Sequence, residues 1–194
     1  MYDLIVLGGG PAGYLAAERA GAAGLATVLI EKNKIGGVCL NEGCIPSKTL
    51  LNSAKIYEHA RHGQAYGVTA ENVTLDQPAI IARKNKVVKK LVAGIAATLK
   101  SNKVTILNGH GLILDRSEGA IRVSVGDEVV SGRRLLIATG SEAIVPPIPG
   151  VKEGLADGTV LTNREILDLQ EIPETLTVVG GGVIGLEMAS YFQT

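Results

Sequence analysis

The chain predicts an α/β fold with a mostly parallel sheet, on three observations. Glycines spaced G-x-G-x-x-G occur twice, in Gly8-Gly9-Gly10-Pro11-Ala12-Gly13 and in Gly180-Gly181-Gly182-Val183-Ile184-Gly185. Each follows a short apolar run and opens a run of helix-forming residues, the strand–turn–helix context that makes this pattern informative. Between the two, short apolar runs broken by glycines alternate with longer stretches of helical periodicity, as expected of strands and crossover helices.

Leu4–Leu7 reads as a buried parallel strand, and Ala16, Ala17 and Ala20 open a small-residue helix after the first turn. Thr27–Ile30 is the next strand and ends at Glu31, 23 residues beyond Gly8, near the position of a ribose-binding acid. In this arrangement Gly8 permits the tight turn, Gly10 lets the backbone approach a pyrophosphate, and Gly13 lets helix pack on strand. The helix N-terminus then holds phosphate through its free N–H groups and its dipole.

Cys44 to about Arg61 predicts a helix, followed by a loop over 63–78 with room for a short strand. Ala79–Lys100 carries Ile80, Val87, Val88, Leu91, Val92, Ile95 and Leu99 at helical spacing. Its Lys84, Lys86, Lys89 and Lys90 are read as a solvated basic face. Val104–Leu107 is a strand. Leu112–Leu114, Ala120–Val125 and Glu128–Val130 read as an antiparallel meander, and Arg134–Ala138 returns to the parallel type. His59 and His62 are assigned to an exposed helix end and His110 to packing; no metal site is expected. Val145–Gly150, rich in proline, is the expected domain boundary. Beyond it come a short helix over Thr162–Leu169 and a strand over Thr177–Val179, leading to Gly180, Gly182 and Gly185. A repeated fingerprint is the sign of two dinucleotide-binding units. The ribose acid of the second would fall about 20 residues past Gly180, so these residues do not separate NAD from NADP.

The composition is 46% hydrophobic and 20% charged, with Lys+Arg and Asp+Glu equal at 19. That is a globular profile with no bias toward nucleic acid or anionic membrane. No stretch is long and apolar enough to span a bilayer. The start lacks a basic n-region, so no signal peptide and a cytoplasmic origin are expected.

The only two cysteines, Cys39 and Cys44, lie within Gly36-Gly-Val-Cys-Leu-Asn-Glu-Gly-Cys-Ile-Pro-Ser-Lys48. A bridge at this spacing needs a compact turn, for which Gly43 is free to take positive φ. Pro46 suits the first turn of a helix starting at Cys44, where the dipole favours a thiolate. Lys48 lies one turn along the same face. The residues alone leave open a redox pair, a structural disulfide, a reduced buried pair or half a zinc site.

This run resembles the redox motif of the flavin-dependent pyridine nucleotide–disulfide oxidoreductases, most closely the dihydrolipoamide-oxidising branch. Glu42 departs from it, standing where relatives commonly carry valine. The resemblance implies a redox disulfide in which Cys39 exchanges with the dithiol substrate and Cys44 contacts the flavin. It implies residues 1–145 as a Rossmann-like FAD-binding domain with parallel sheet and antiparallel meander. Residues 146–194 become a linker and the start of a nicotinamide-binding Rossmann domain.

By the same resemblance Gly8, Gly10, Gly13, Glu31, Lys32, Val38, Cys39, Lys48, Gly111, Thr139, Gly140 and Ser141 contact FAD. Gly180, Gly182, Gly185 and Glu187 belong to the second site, with Glu187 pairing to Lys48. The implied activity passes electrons from protein-bound dihydrolipoamide through Cys39 and Cys44 to FAD and then NAD. The implied partners are a lipoyl-bearing acyltransferase of a 2-oxoacid dehydrogenase or glycine cleavage complex and, in the intact enzyme, a second copy. Remaining parts of the family's architecture, including its C-terminal base, are expected outside these residues, so the chain alone should turn over poorly. The rivals are a glutathione- or mercuric-reductase-like enzyme and a non-catalytic flavin-binding fragment.

Overall fold

The computed structural model describes residues 1–117 and 119–194. In chain order its elements are β1 (Tyr2–Leu7), α1 (Pro11–Ala22), β2 (Thr27–Glu31), α2 (Gly37–Glu42) and α3 (Cys44–His62). There follow α4 (Gln77–Ser101), β3 (Thr105–Asn108), β4 (Gly111–Ser117), β5 (Ala120–Val125), β6 (Glu128–Ile137), α5 (Val151–Asp157) and α6 (Val183–Gln193). Short 3₁₀ turns cover Gly63–Tyr66 and Ile166–Asp168. The chain divides into two compact units, one of residues 1–41 and 89–142, the other of residues 42–88 and 143–194. None of the described helices is long and apolar enough to cross a membrane.

The first unit is built on a six-stranded sheet in the order β3-β2-β1-β6-β5-β4. The strands β3, β2, β1 and β6 are mutually parallel, and β6-β5-β4 form the antiparallel meander. Successive strand residues face opposite sides, and the core follows that alternation. Ile5, Leu7, Val28 and Ile30 pack with Val123, Val125 and Val130 on one face. Val6 and Leu29 pack on the other against Ala17 of α1, Leu99 of α4 and Val104.

Two predicted strands, Glu128–Val130 and Arg134–Ala138, are one ten-residue strand. Gly132 joins them and pairs with Ile121 on one side and Tyr2 on the other. A Cβ there would lie 2.7 Å from the Ile5 side chain. The glycine therefore makes room for Ile5 of the neighbouring strand β1, where sequence reading took it as a break.

The second unit packs Leu50 and Ala54 of α3, Ile81 of α4, Leu167, and Met188 and Tyr191 of α6 around one core. The predicted 162–169 helix is only the Ile166–Asp168 turn, while the unpredicted α5 occupies Val151–Asp157 between Gly150 (φ 85°) and Gly158 (φ 82°). The loop over 63–78 forms no strand among its described residues. Helix α4 starts at Gln77 with Asp76 as its cap, accepting the Ala79 amide at 2.9 Å.

Residues Thr177–Val179 are not a strand, and Val179 is 81% exposed. A parallel strand is held by its neighbours, and no described residue pairs with these. Lys84, read as solvated, is 3% exposed and donates to the Leu167 carbonyl at 2.9 Å while pairing with Asp168. The signal was present: Lys84 falls within the Ile80–Val87 apolar stripe.

Candidate functional site

In the first unit the site forms at the C-terminal edge of β1 and β2, where dinucleotide folds bind their ligand. Gly8 takes φ 100°, and a Cβ on it would meet the Ala138 carbonyl oxygen at 2.1 Å. Ala138 in turn donates its amide to the Leu7 carbonyl at 2.7 Å. Gly10 is the N-cap of α1, with Pro11 in the first turn. A Cβ on Gly13 would lie 1.8 Å from the Gly8 carbonyl oxygen, so helix and turn touch backbone to backbone.

Glu31 is 7% exposed. Its Oε2 accepts the Gly9 amide at 2.6 Å and its Oε1 the Asn33 amide at 2.7 Å. Two N–H donors offset the cost of burying this anion, and each oxygen keeps capacity to accept a ligand hydroxyl. A cleft of about 130 Å³ opens beside it, lined by Leu7, Gly8, Ile30, Glu31, Lys32, Gly109, His110, Gly111 and Thr139. Gly111 leaves room at its wall for the Leu7 side chain, which a Cβ would approach to 2.6 Å. His110, assigned to packing from the sequence, is exposed and faces this cleft. Lys32 is exposed and pairs with Glu142 at 2.8 Å. Thr139, Gly140 (φ 73°) and Ser141 are exposed after β6.

The turn before α2 docks on the phosphate loop. Gly36 donates its amide to the Gly9 carbonyl at 2.8 Å, and a Cβ on Gly37 would sit 2.6 Å from Gly10 Cα. Both have positive φ, 99° and 58°. Gly43, which sequence reading left free to take positive φ for the turn between the cysteines, has φ −151° instead. On α2, Val38 is exposed, Cys39 half-buried and Leu40 buried. Asn41 ties α2 down by donating to the Gly37 and Ile35 carbonyls.

In the second unit Cys44 is exposed at the start of α3, Pro46 is buried in the first turn, and Lys48 is exposed one turn on. No disulfide joins Cys39 to Cys44 in this structure. Among the described residues no ion pair joins Lys48 to Glu187, which is half-buried on α6. An exposed ammonium keeps its hydration, so nothing forces the pairing predicted for it.

The second fingerprint repeats the first in backbone detail. Gly180 has φ 103°, Gly182 is the extended N-cap of α6, and a Cβ on Gly185 would lie 3.0 Å from the Gly180 carbonyl oxygen. Unlike Gly8, Gly180 has nothing packed over it. No three His, Cys, Asp or Glu side chains come together as a metal site among the described residues.

The first site fits the ADP half of a dinucleotide. It has a helix N-terminus without an acidic first turn and a buried acid beside a cleft.

A family model described as pyridine nucleotide-disulphide oxidoreductase matches residues 2–194. A dihydrolipoyl dehydrogenase of Acholeplasma laidlawii is 45% identical over the whole chain, which spans 56% of that relative. The dihydrolipoyl dehydrogenase of Bacillus subtilis is 42% identical over 97% of the chain, which spans 41% of it. The crystal structure of LpdA from Mycobacterium tuberculosis superposes with a TM-score of 0.84 at 30% identity, over 98% of this chain and 42% of that one. A Cu(II) complex of the HOCl-induced flavoprotein disulfide reductase RclA from Escherichia coli gives 0.81 at 30% identity, over 98% and 39%. The chain thus spans about half or less of these relatives, and with its fingerprints, sheet and cysteine pair it belongs to the pyridine nucleotide-disulphide oxidoreductase family, whose members use FAD and a nicotinamide nucleotide.

Proposed function

We propose that this chain is the FAD-binding and redox-active part of an enzyme that oxidises protein-bound dihydrolipoamide with NAD⁺ as final acceptor. The observation that carries the reading is the docking of Gly36 and Gly37 on the phosphate loop, because it starts the cysteine-bearing segment directly on the nucleotide turn. In this reading residues 1–145 form the FAD domain, and residues 146–194 are the linker and the start of the nicotinamide domain.

The FAD contacts are assigned to Gly8, Gly10, Gly13, Glu31, Lys32, Val38, Cys39, Lys48, Gly111, Thr139, Gly140 and Ser141. The nicotinamide nucleotide is assigned to Gly180, Gly182 and Gly185, with Glu187 on the same helix. Bound FAD supplies the two-electron chemistry that connects the thiols to the nicotinamide.

The chain's own step is thiol–disulfide exchange between the substrate dithiol and a Cys39–Cys44 disulfide. A substrate thiolate attacks the Cys39 sulfur, the Cys39–Cys44 bond breaks, and Cys44 leaves as thiolate. The second substrate thiol attacks the mixed disulfide and releases Cys39, closing the lipoamide ring. Two electrons pass to the cysteine pair, and the two thiol protons pass to base or to the released sulfurs. Cys44, exposed at the start of α3, is the leaving group of that step. The partners of this reading are a lipoyl-bearing acyltransferase of a 2-oxoacid dehydrogenase or glycine cleavage complex and a second copy of the enzyme, in the cytoplasm.

The likeness to RclA supports a second reading, a disulfide reductase of another substrate such as glutathione disulfide or mercuric ion. Full-length protein is assayed with dihydrolipoamide and NAD⁺, and separately with glutathione disulfide or Hg(II) and NADPH. Turnover of the first pair alone is expected; turnover confined to the others overturns the reading.

A further inference from the structure

Glu42 is separated from Cys44 only by Gly43 and is gripped twice by neighbouring residues of one turn. Arg164 Nε donates to Glu42 Oε2 at 2.6 Å, and Asn163 Nδ2 donates to the Glu42 carbonyl at 2.9 Å. The turn that presents them is itself closed. Glu165 Oε2 accepts both the Thr162 hydroxyl at 2.6 Å and the Thr162 amide at 2.7 Å. Those bonds hold the Glu165 carboxyl below its ordinary range, so the turn keeps its anion at neutral pH. The hinge between Glu42 and α3 has no side-chain cap of its own, and its Gly43 carbonyl accepts the Ser47 amide at 3.0 Å.

We propose that Arg164, with Asn163, is a positioning residue that sets the reduction potential of the cysteine pair through Glu42. The proposal rests on the redox reading above. Two Cα–Cα steps join Glu42 to Cys44, so their Cα atoms are at most about 7.6 Å apart, inside the Debye length of roughly 8 Å at physiological salt. Charge at Glu42 is therefore felt at Cys44. Paired with Arg164, Glu42 adds no net charge there. Reduction that yields a thiolate adds an anion, so an unpaired Glu42 opposes it and an unpaired Arg164 favours it. The two groups are each partly exposed, which keeps the effect modest.

The test equilibrates the whole chain with oxidised and reduced dithiothreitol at pH 9, above the ordinary thiol pKa of about 8.5. Thiols are then trapped by alkylation and counted by mass. In the exchange the cysteine disulfide takes two electrons from dithiothreitol, which closes to its cyclic disulfide. Its two protons pass to the cysteine sulfurs or to solvent. Arg164→Gln is expected to disfavour reduction about threefold and Glu42→Gln to favour it about threefold. Each is a shift of about 14 mV, since tenfold is about 30 mV for a two-electron couple. The double variant should return to the parent value, and Arg164→Lys should stay near it. A purely mechanical tether moves both single variants the same way. Shifts of one sign, or none, overturn the proposal while leaving the redox reading intact. Two free thiols at every buffer ratio in the parent chain overturn both.

Discussion

Glu31 Oε2 accepts the backbone amide of Gly9 at 2.6 Å, joining the end of β2 to the phosphate turn after β1 across 22 residues of sequence. The acid that the spacing marks for a ribose is therefore also a staple for the loop that would hold the phosphates. Its second oxygen takes the Asn33 amide, so one buried carboxylate shapes both turns at the edge of the sheet.

Replacing Glu31 by Ala should cost about 2–4 kcal/mol, because the buried Gly9 amide loses its acceptor at roughly 1–3 kcal/mol and the part-buried Asn33 amide at about 1 kcal/mol. Glu31→Gln should not restore the parent value, since its NH₂ group faces a donor. Urea unfolding followed by circular dichroism measures both. An unchanged midpoint in Glu31→Ala would show that the staple is dispensable.

The two fingerprints should respond differently to the same substitution. Gly13→Ala places a Cβ 1.8 Å from the Gly8 carbonyl oxygen, whereas in Gly185→Ala the closest atoms are at 2.8 and 3.0 Å. A backbone clash of the first kind should cost about 3 kcal/mol or more. The second is offset by the roughly 1 kcal/mol that alanine gains over glycine in a helix. Unfolding midpoints rank the pair, and equal losses would refute the distinction.

Lys84→Met keeps most of the side-chain volume but removes the donor to Leu167. We expect a loss of about 1–3 kcal/mol from the carbonyl left without its partner. Asp168, whose side chain is 64% exposed, stays solvated and adds little. Lys84→Ala should lose more, because a cavity adds to the missing bond. Denaturant titration of both variants tests the order.

Tyr191 donates its hydroxyl to Gln77 Oε1 at 2.5 Å, and burial raises its pKa above the ordinary value of 10.0. The folded state thus holds this proton more tightly than the unfolded chain. Its contribution is complete below about pH 10 and is lost as pH rises through the folded-state value. Stability of the parent should fall in that alkaline window. Tyr191→Phe should flatten this part of the profile while lowering neutral-pH stability by about 1 kcal/mol. A profile unchanged by the substitution would assign the alkaline loss to other groups.

The candidate site was legible unevenly. Gly8, Gly10, Gly13 and Glu31 sit at the turn their spacing predicted, because a local glycine pattern encodes a local backbone shape. The roles of Gly36, Gly37 and His110 were not legible, because each depends on what lies across space: Gly9 and Gly10 for the first two, the cleft for the third. Arg164 could not be tied to Glu42 from the sequence for the same reason, since they stand 122 positions apart.

By itself the sequence determined the first strand–turn–helix unit, the meander and the position of both cysteines, since periodicity, glycine spacing and proline placement act over a few residues. Only the tertiary structure decided that Gly132 continues a strand, that Lys84 is buried, and that Thr177–Val179 stays unpaired. A strand exists through its neighbours and a buried charge through its partners. Those are long-range contacts, which local propensity does not contain.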